Sequence, residues 1–160
     1  MKYVTSSDKK ADGCVFCAAC QDDPEHDREN FVVYRGKHGF VLMNIYPYNT
    51  GHLMVLPYAH VATLVEVAPE AQAEIIWLAS YFTGILTRLM APHGFNMGLN
   101  IGQAAGAGID DHLHLHVVPR WNGDSNFMSV IGETRVLPEM LNDTYDKIVA
   151  LVQKQPPALK

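Results

Sequence analysis

Apolar and polar positions alternate most strictly at residues 112–120, where His112, His114 and His116 are interleaved with Leu113, Leu115 and Val117 ahead of Val118, Pro119 and Arg120. This alternation predicts a strand, because successive side chains leave opposite faces of a sheet. The aliphatic residues would face a core, and the imidazoles would stand in a row on the other face, about 6.5–7 Å apart. Residues 31–35 and 40–44, joined across Gly36, Lys37, His38 and Gly39, read as a β-hairpin. Residues 52–57 follow a turn at 47–51 and read as a buried third strand, and residues 95–101 as a fourth, which makes the histidine segment the fifth.

Helical periodicity governs the middle of the chain. Ile75, Ile76, Leu78, Ala79, Phe82, Ile85, Leu86 and Leu89 recur at the spacing of one helix face. Pro69 and Glu70 open this long helix, with Glu70 and Glu74 at its positive end, and Ala91, Pro92, His93 and Gly94 terminate it. Its apolar stripe is core packing. A closing helix is expected over about 138–153. Strands and helices are segregated rather than alternating, so the expected class is α+β, with about five antiparallel strands, one long helix and a C-terminal helix. At 160 residues the chain is expected to form one domain: a frayed stretch at 1–13, a motif-bearing core at 14–121 and an extension at 122–155.

Composition narrows the function classes. With 48% hydrophobic and 18% charged residues the chain has the make-up of a globular protein. No apolar run is long enough to span a bilayer and the first residues lack an apolar signal region, so the expected location is the cytoplasm, away from membranes. A net charge of −5 argues against nucleic-acid binding but leaves room for a small polyanion. The run of charged residues at 21–30, with His26, reads as a solvated loop.

Three features carry chemistry. The histidine row can attack, donate protons or bind metal, since imidazole titrates near neutrality. Gly102, Gly106 and Gly108 precede it in a loop that can turn several N–H groups toward an anion. Imidazole beside bound phosphate suggests nucleophilic attack at phosphorus, with His114 the natural nucleophile because it has a partner on each side. Metal-activated water is the rival reading. Cys14 and Cys17 have the spacing of half a tetrahedral metal site, and with His60 they suit a closed structural one better; Cys20 is left over. Trp121 reads equally as a cover over phosphates or a base and as a packing residue.

The segment from His112 to Arg120, with Asn44, Ile45, Tyr46, Pro47, Tyr48, Asn49, Thr50, Gly51 and His52 upstream, resembles the signature of the histidine-triad superfamily of nucleotide hydrolases and transferases. The likeness spans roughly 14–121. Tyr46 to His52, Gly94 to Asn100 and Pro119 to Trp121, extended by 123–128 and by Ile131 and Gly132, are similar to bacterial diadenosine tetraphosphate phosphorylases of histidine-triad type. The resemblance implies His114 as nucleophile, His116 at the scissile phosphate and its bridging oxygen, and His52 as support. It further implies Asn44 at the ribose hydroxyls, Asn100 at the phosphates and a homodimer built around the long helix. Some members carry a structural zinc, which would fall on Cys14, Cys17, His60 and His112.

One departure bears on the reaction. Hydrolase branches usually carry Gly-Gln-Ser/Thr-Val before the first histidine, whereas this chain has Gly106, Ala107, Gly108, Ile109, Asp110 and Asp111. The missing hydroxyl points to inorganic phosphate, bound at the glycine loop, as second acceptor. Phosphorolysis of diadenosine tetraphosphate to ATP and ADP is therefore the leading expectation. A hydrolase of dinucleoside polyphosphates or phosphoramidates is the alternative, and a zinc-stabilised nucleotide-binding module without turnover a third.

Overall fold

The computed structural model describes residues 13–124 and 139–158. Five strands, β1 (Val32–Arg35), β2 (Gly39–Met43), β3 (Leu53–Pro57), β4 (Gly94–Leu99) and β5 (Leu115–Arg120), form one sheet in the order β1-β2-β3-β5-β4. Every neighbouring pair is antiparallel. Among the described residues there are three α-helices: α1 (Val15–Gln21), α2 (Pro69–Met90) and α3 (Leu141–Lys154). The expected α+β class and five-stranded antiparallel sheet are both present. Ser125 to Met128, Ile131, Gly132 and Pro138 lie outside the described residues, as do residues 1–12.

Helix α2 begins with Pro69 in its first turn, where the missing N–H costs nothing, and ends at Ala91 in a left-handed conformation (φ 44°). Its apolar stripe and that of α3 bury one sheet face. Val33, Val41, Met43, Leu53, Val55, Leu113, Leu115 and Val117 meet Ile75, Leu78, Phe82, Ile85 and Leu86 from α2, and Tyr145, Ile148 and Val152 from α3. Two members of the predicted stripe depart from it: Leu89 is only partly buried and Ile76 is 59% exposed.

Glu74 does not serve the helix dipole in the open. It is 3% exposed, and its carboxylate oxygens accept the backbone N–H groups of Lys37 and His38, each at 2.7 Å. The turn between β1 and β2 lacks partners for these amides, and a buried anion satisfies both. Gly36 is required there, because a Cβ would run into Glu74 Oε1.

The opposite sheet face differs from its expectation. Alternation predicts one covered face, yet β2 and β3 are buried along their whole length. Helix α1 provides the second cover: Cys14, Phe16, Cys17 and Ala19 pack on Val32, Phe40, Leu42, Met54 and Leu56. The histidines sit on this covered face and are buried too, His112 at 0%, His114 at 6% and His116 at 8% exposure. Strand β5 starts only at Leu115. The segment before it is tied at Leu113, whose N–H donates to the Val61 carbonyl at 2.7 Å.

Candidate active site

His116 is paired with Met54 of β3 on one side and Gly98 of β4 on the other, which places it in the middle of the sheet. His52 stands one residue before β3, and its Nε2 lies 2.8 Å from His116 Nδ1. His114 stands one residue before β5, its ring 4.8 Å from that of His116 and nearly perpendicular to it. The structure thus brings His52, His114 and His116 together.

The hydrogen bonds fix which nitrogen carries each proton. Backbone N–H groups only donate, so His52 Nδ1, 3.0 Å from the Tyr48 N–H, is an acceptor. Asn44 agrees: its Oδ1 accepts the Tyr46 N–H at 2.9 Å, which turns its amide nitrogen toward His52 Nδ1 at 3.5 Å. Neutral His52 therefore holds its proton on Nε2 and donates it to His116 Nδ1. His116 in turn carries its proton on Nε2, as a donor. Carbonyls only accept, so His114 Nδ1–H donates to the His112 carbonyl at 2.8 Å. His114 Nε2 is left as a lone pair at the far edge of the ring, the form a nucleophile needs.

Burial disfavours charge on the His114 and His116 rings. Desolvation lowers the pKa of His114, and desolvation together with His114 pushes that of His116 down to about 4. The site is roofed by rings the sequence reading did not single out. Phe16 from α1 lies 5.3 Å from His114, and Tyr48 lies 4.7 Å from His52 and 5.7 Å from His116. Ile45, Tyr46 and Tyr48 remain substantially exposed along the loop between β2 and β3, beside the buried imidazoles.

His112 belongs to a second cluster. Cys14, Cys17, His60 and His112 each present one ligand atom, all within 4.8 Å of one another. His112 Nδ1 is 3.4 Å from Cys14 Sγ and 3.5 Å from Cys17 Sγ, and His60 Nδ1 is 3.3 Å from Cys17 Sγ. The outer nitrogens are oriented for this. His112 Nε2–H donates to the Pro57 carbonyl at 3.0 Å, and His60 Nε2 lies 3.8 Å from Asp111 Oδ2. A carbonyl on the outer ring nitrogen, as at His112, is a usual support of a metal-ligating histidine, and Asp111 stands near His60 as a carboxylate of the same kind. Without a cation this pocket resists two thiolates: desolvation, then Cys14, pushes the Cys17 thiol up to about 12. Two sulfurs and two imidazoles fit a divalent, tetrahedral metal such as zinc. Cys20 stands apart, half-buried, with its thiol on the Cys17 carbonyl at 3.3 Å.

The remaining expected residues are more loosely gathered. Asn100 follows β4 by one residue, and continuation of the Gly98↔His116 register puts it on the histidine face. Gly102 and Gly106 have positive φ (80° and 83°), but the Gly106 N–H is engaged by the Gln103 carbonyl at 3.0 Å, within a short 3-10 turn at Gln103–Ala105. Gly108 has no positive φ and is exposed. Trp121 is half-buried directly after β5, its N–H on Asp124 Oδ2 at 3.1 Å. His26, in the run expected to be a solvated loop, is exposed and pairs with Asp22 at 2.9 Å.

Comparison with known proteins agrees with this geometry. Residues 25–123 match the HIT domain model. The chain is 39% identical over 160 residues to an AP-4-A phosphorylase of Mycobacterium tuberculosis, an alignment covering 98% of this chain and 82% of the relative. It is 30% identical to an uncharacterized HIT-like protein of the same organism, over 69% of this chain and 74% of that one. Among solved structures it superposes on a zinc-bound histidine triad family protein from Mycobacterium smegmatis with a TM-score of 0.70 and 27% identity, covering 91% of this chain and 96% of the other. With the domain match spanning most of the sequence and a relative alike almost end to end, the chain belongs to the HIT, or histidine-triad, family.

Proposed function

We propose that this chain is a nucleotidyltransferase that cleaves diadenosine tetraphosphate by phosphorolysis, through a nucleotidyl intermediate on His114. The observation that carries the reading is the paired tautomers of His114 and His116, one offering a lone pair and the other an N–H. Likeness to the AP-4-A phosphorylase selects the substrate. His114 Nε2 attacks the phosphorus of the adenylyl group, forming a P–N bond as the bond to the bridging oxygen breaks and ATP departs. His116 Nε2–H hydrogen-bonds that oxygen as it gains charge. An oxygen of inorganic phosphate then attacks the same phosphorus, the P–N electrons return to His114, and ADP forms.

In this reading Asn44 meets the ribose, Asn100 the phosphates, and the loop holding Gly106 and Gly108 the incoming phosphate; Trp121 covers the distal phosphates or a base. His52 supports His116. Cys14, Cys17, His60 and His112 would hold a zinc ion, which when bound neutralises the thiolates and fixes α1 to the sheet. The whole chain is one HIT domain acting in the cytoplasm, with residues 14–121 carrying the motifs and 122–155 an extension. Among the described residues no helix is long and apolar enough to cross a membrane. A homodimer is supported by β4, a sheet edge with Met97 exposed, and by Ile76 outside the core.

Product analysis tests the reaction. Diadenosine tetraphosphate should yield ADP and ATP only when inorganic phosphate is present. AMP and ATP formed without phosphate would replace phosphorolysis by hydrolysis, and absence of turnover would leave a binding module.

A further inference from the structure

The loop between β2 and β3 carries His52 and the Tyr48 N–H that sets its tautomer, and something must hold that loop still. Asn49 does so from the centre of the turn. Its side-chain amide donates to the Pro119 carbonyl at 3.0 Å and to Asp124 Oδ2 at 2.7 Å, both at the far end of β5. Its own carbonyl accepts the His52 N–H at 3.2 Å. Asp124 is itself fixed: Arg120 donates Nε to Oδ2 and Nη2 to Oδ1, each at 2.6 Å, and Arg120 Nη1 reaches Asn96 Oδ1 at 2.7 Å. A bidentate arginine–carboxylate pair is stiff as well as strong.

We propose that Asn49, anchored on Asp124 and the Pro119 carbonyl, is a positioning residue that fixes the proton arrangement of the His52–His116 pair and thereby the donor offered to the leaving oxygen. The proposal rests on the nucleotidyl-transfer reading above. The pair has two self-consistent arrangements. With the Tyr48 N–H on His52 Nδ1, the inter-ring proton sits on His52 Nε2, and His116 Nε2 carries an N–H. If the turn relaxes and that N–H withdraws, His52 can hold its proton on Nδ1. His52 Nε2 then accepts from His116 Nδ1, and His116 Nε2 becomes a lone pair that repels the leaving oxygen. Asn49 selects the first arrangement without touching substrate. No proton need leave the pair in either step, since the P–O electrons depart with the bridging oxygen and the P–N electrons return to His114.

Asn49→Asp keeps shape and size but removes both donors and sets a second carboxylate against Asp124. Two adenosine 5′-phosphate esters read the consequence: a p-nitrophenyl ester, whose leaving oxygen needs little help, and a phenyl ester, whose oxygen needs more. The variant should lower kcat on the phenyl ester by about tenfold or more beyond any loss on the nitrophenyl ester, with KM nearly unchanged. Asn49→Gln should restore part of the difference. Nitrogen-15 NMR of the imidazoles should show His116 moving from one tautomer toward a mixture. Equal losses on both esters with tautomers unchanged would overturn the proposal and leave Asn49 a support of the loop. If the unaltered protein turns over neither ester nor diadenosine tetraphosphate, the transfer reading falls, while the tautomer measurement still judges the clamp.

Discussion

Two clusters lie side by side on one sheet face and share a single segment of chain, yet they have opposite characters. His112 closes a set of two thiols and two imidazoles in which its own outer nitrogen is hydrogen-bonded to a carbonyl and that of His60 lies near a carboxylate. Four residues further on, His116 joins His52 and His114 in an all-imidazole set whose functional nitrogens are a lone pair and an N–H beside an exposed loop. The same residue type therefore takes two roles according to what its second nitrogen touches. Donation from His112 Nε2–H to a carbonyl turns Nδ1 toward sulfur, whereas donation from His114 Nδ1–H to a carbonyl leaves Nε2 as a lone pair. The link between the clusters is the His112 backbone, whose carbonyl accepts the His114 Nδ1–H while its ring stands among Cys14, Cys17 and His60.

The sharpest break of this contrast is His114→Ala. Activity should fall by roughly a thousandfold or more, while bound metal and melting temperature stay near those of the unaltered protein. A matching collapse in stability would give His114 a structural role and erase the distinction. The converse is Cys14→Ser, which should abolish stoichiometric zinc and lower the melting temperature by about 6–12 °C, from a loss of about 3 kcal/mol. Metal analysis with calorimetry reads both, and a metal-free protein of undiminished stability would remove the structural assignment.

Acid should expose a cost the imidazoles share. The folded pKa of His116 lies near 4, below the ordinary 6.5, and that of His114 is also lowered, in both cases chiefly by desolvation. The unfolded chain therefore takes up protons first as pH falls. Their contribution to stability is flat above about 6.5 and is lost progressively from there toward 4. Denaturant titrations across that window should show declining stability, with a smaller decline in His116→Asn. The smallest effect is expected at Trp121, outside both clusters. Trp121→Ala should raise KM for diadenosine tetraphosphate by about two- to tenfold with metal and stability unchanged. An unaltered KM and product pattern would make it a packing residue.

Much of this was legible in the chain because the signals are local. Period-two alternation marked β5, period 3.6 marked α2, and Pro69 marked where α2 begins. The family likeness, carried by short motifs, singled out the four cluster residues that the fold brings within reach of one another. Other features rest on contacts between distant segments, and no periodicity encodes them. Glu74 looked like a dipole residue until the β1–β2 turn folded onto it. Phe16 reaches His114 only because α1 crosses the second sheet face, and that same cover buries histidines that alternation alone left on an open one. Asn49 read as one more turn residue, because its partners lie 70 and 75 positions away.

The sequence by itself determined the strands, the long helix, the family and the set of reactive side chains, since these follow from spacing and residue type. The tertiary structure decided how each ring is oriented, setting His112 among two cysteines and His60, and His114 beside His52 and His116. An imidazole's role is set by the hydrogen bond on its other nitrogen, and those partners, the carbonyls of Pro57 and His112 and the N–H of Tyr48, take their places only when the chain has folded.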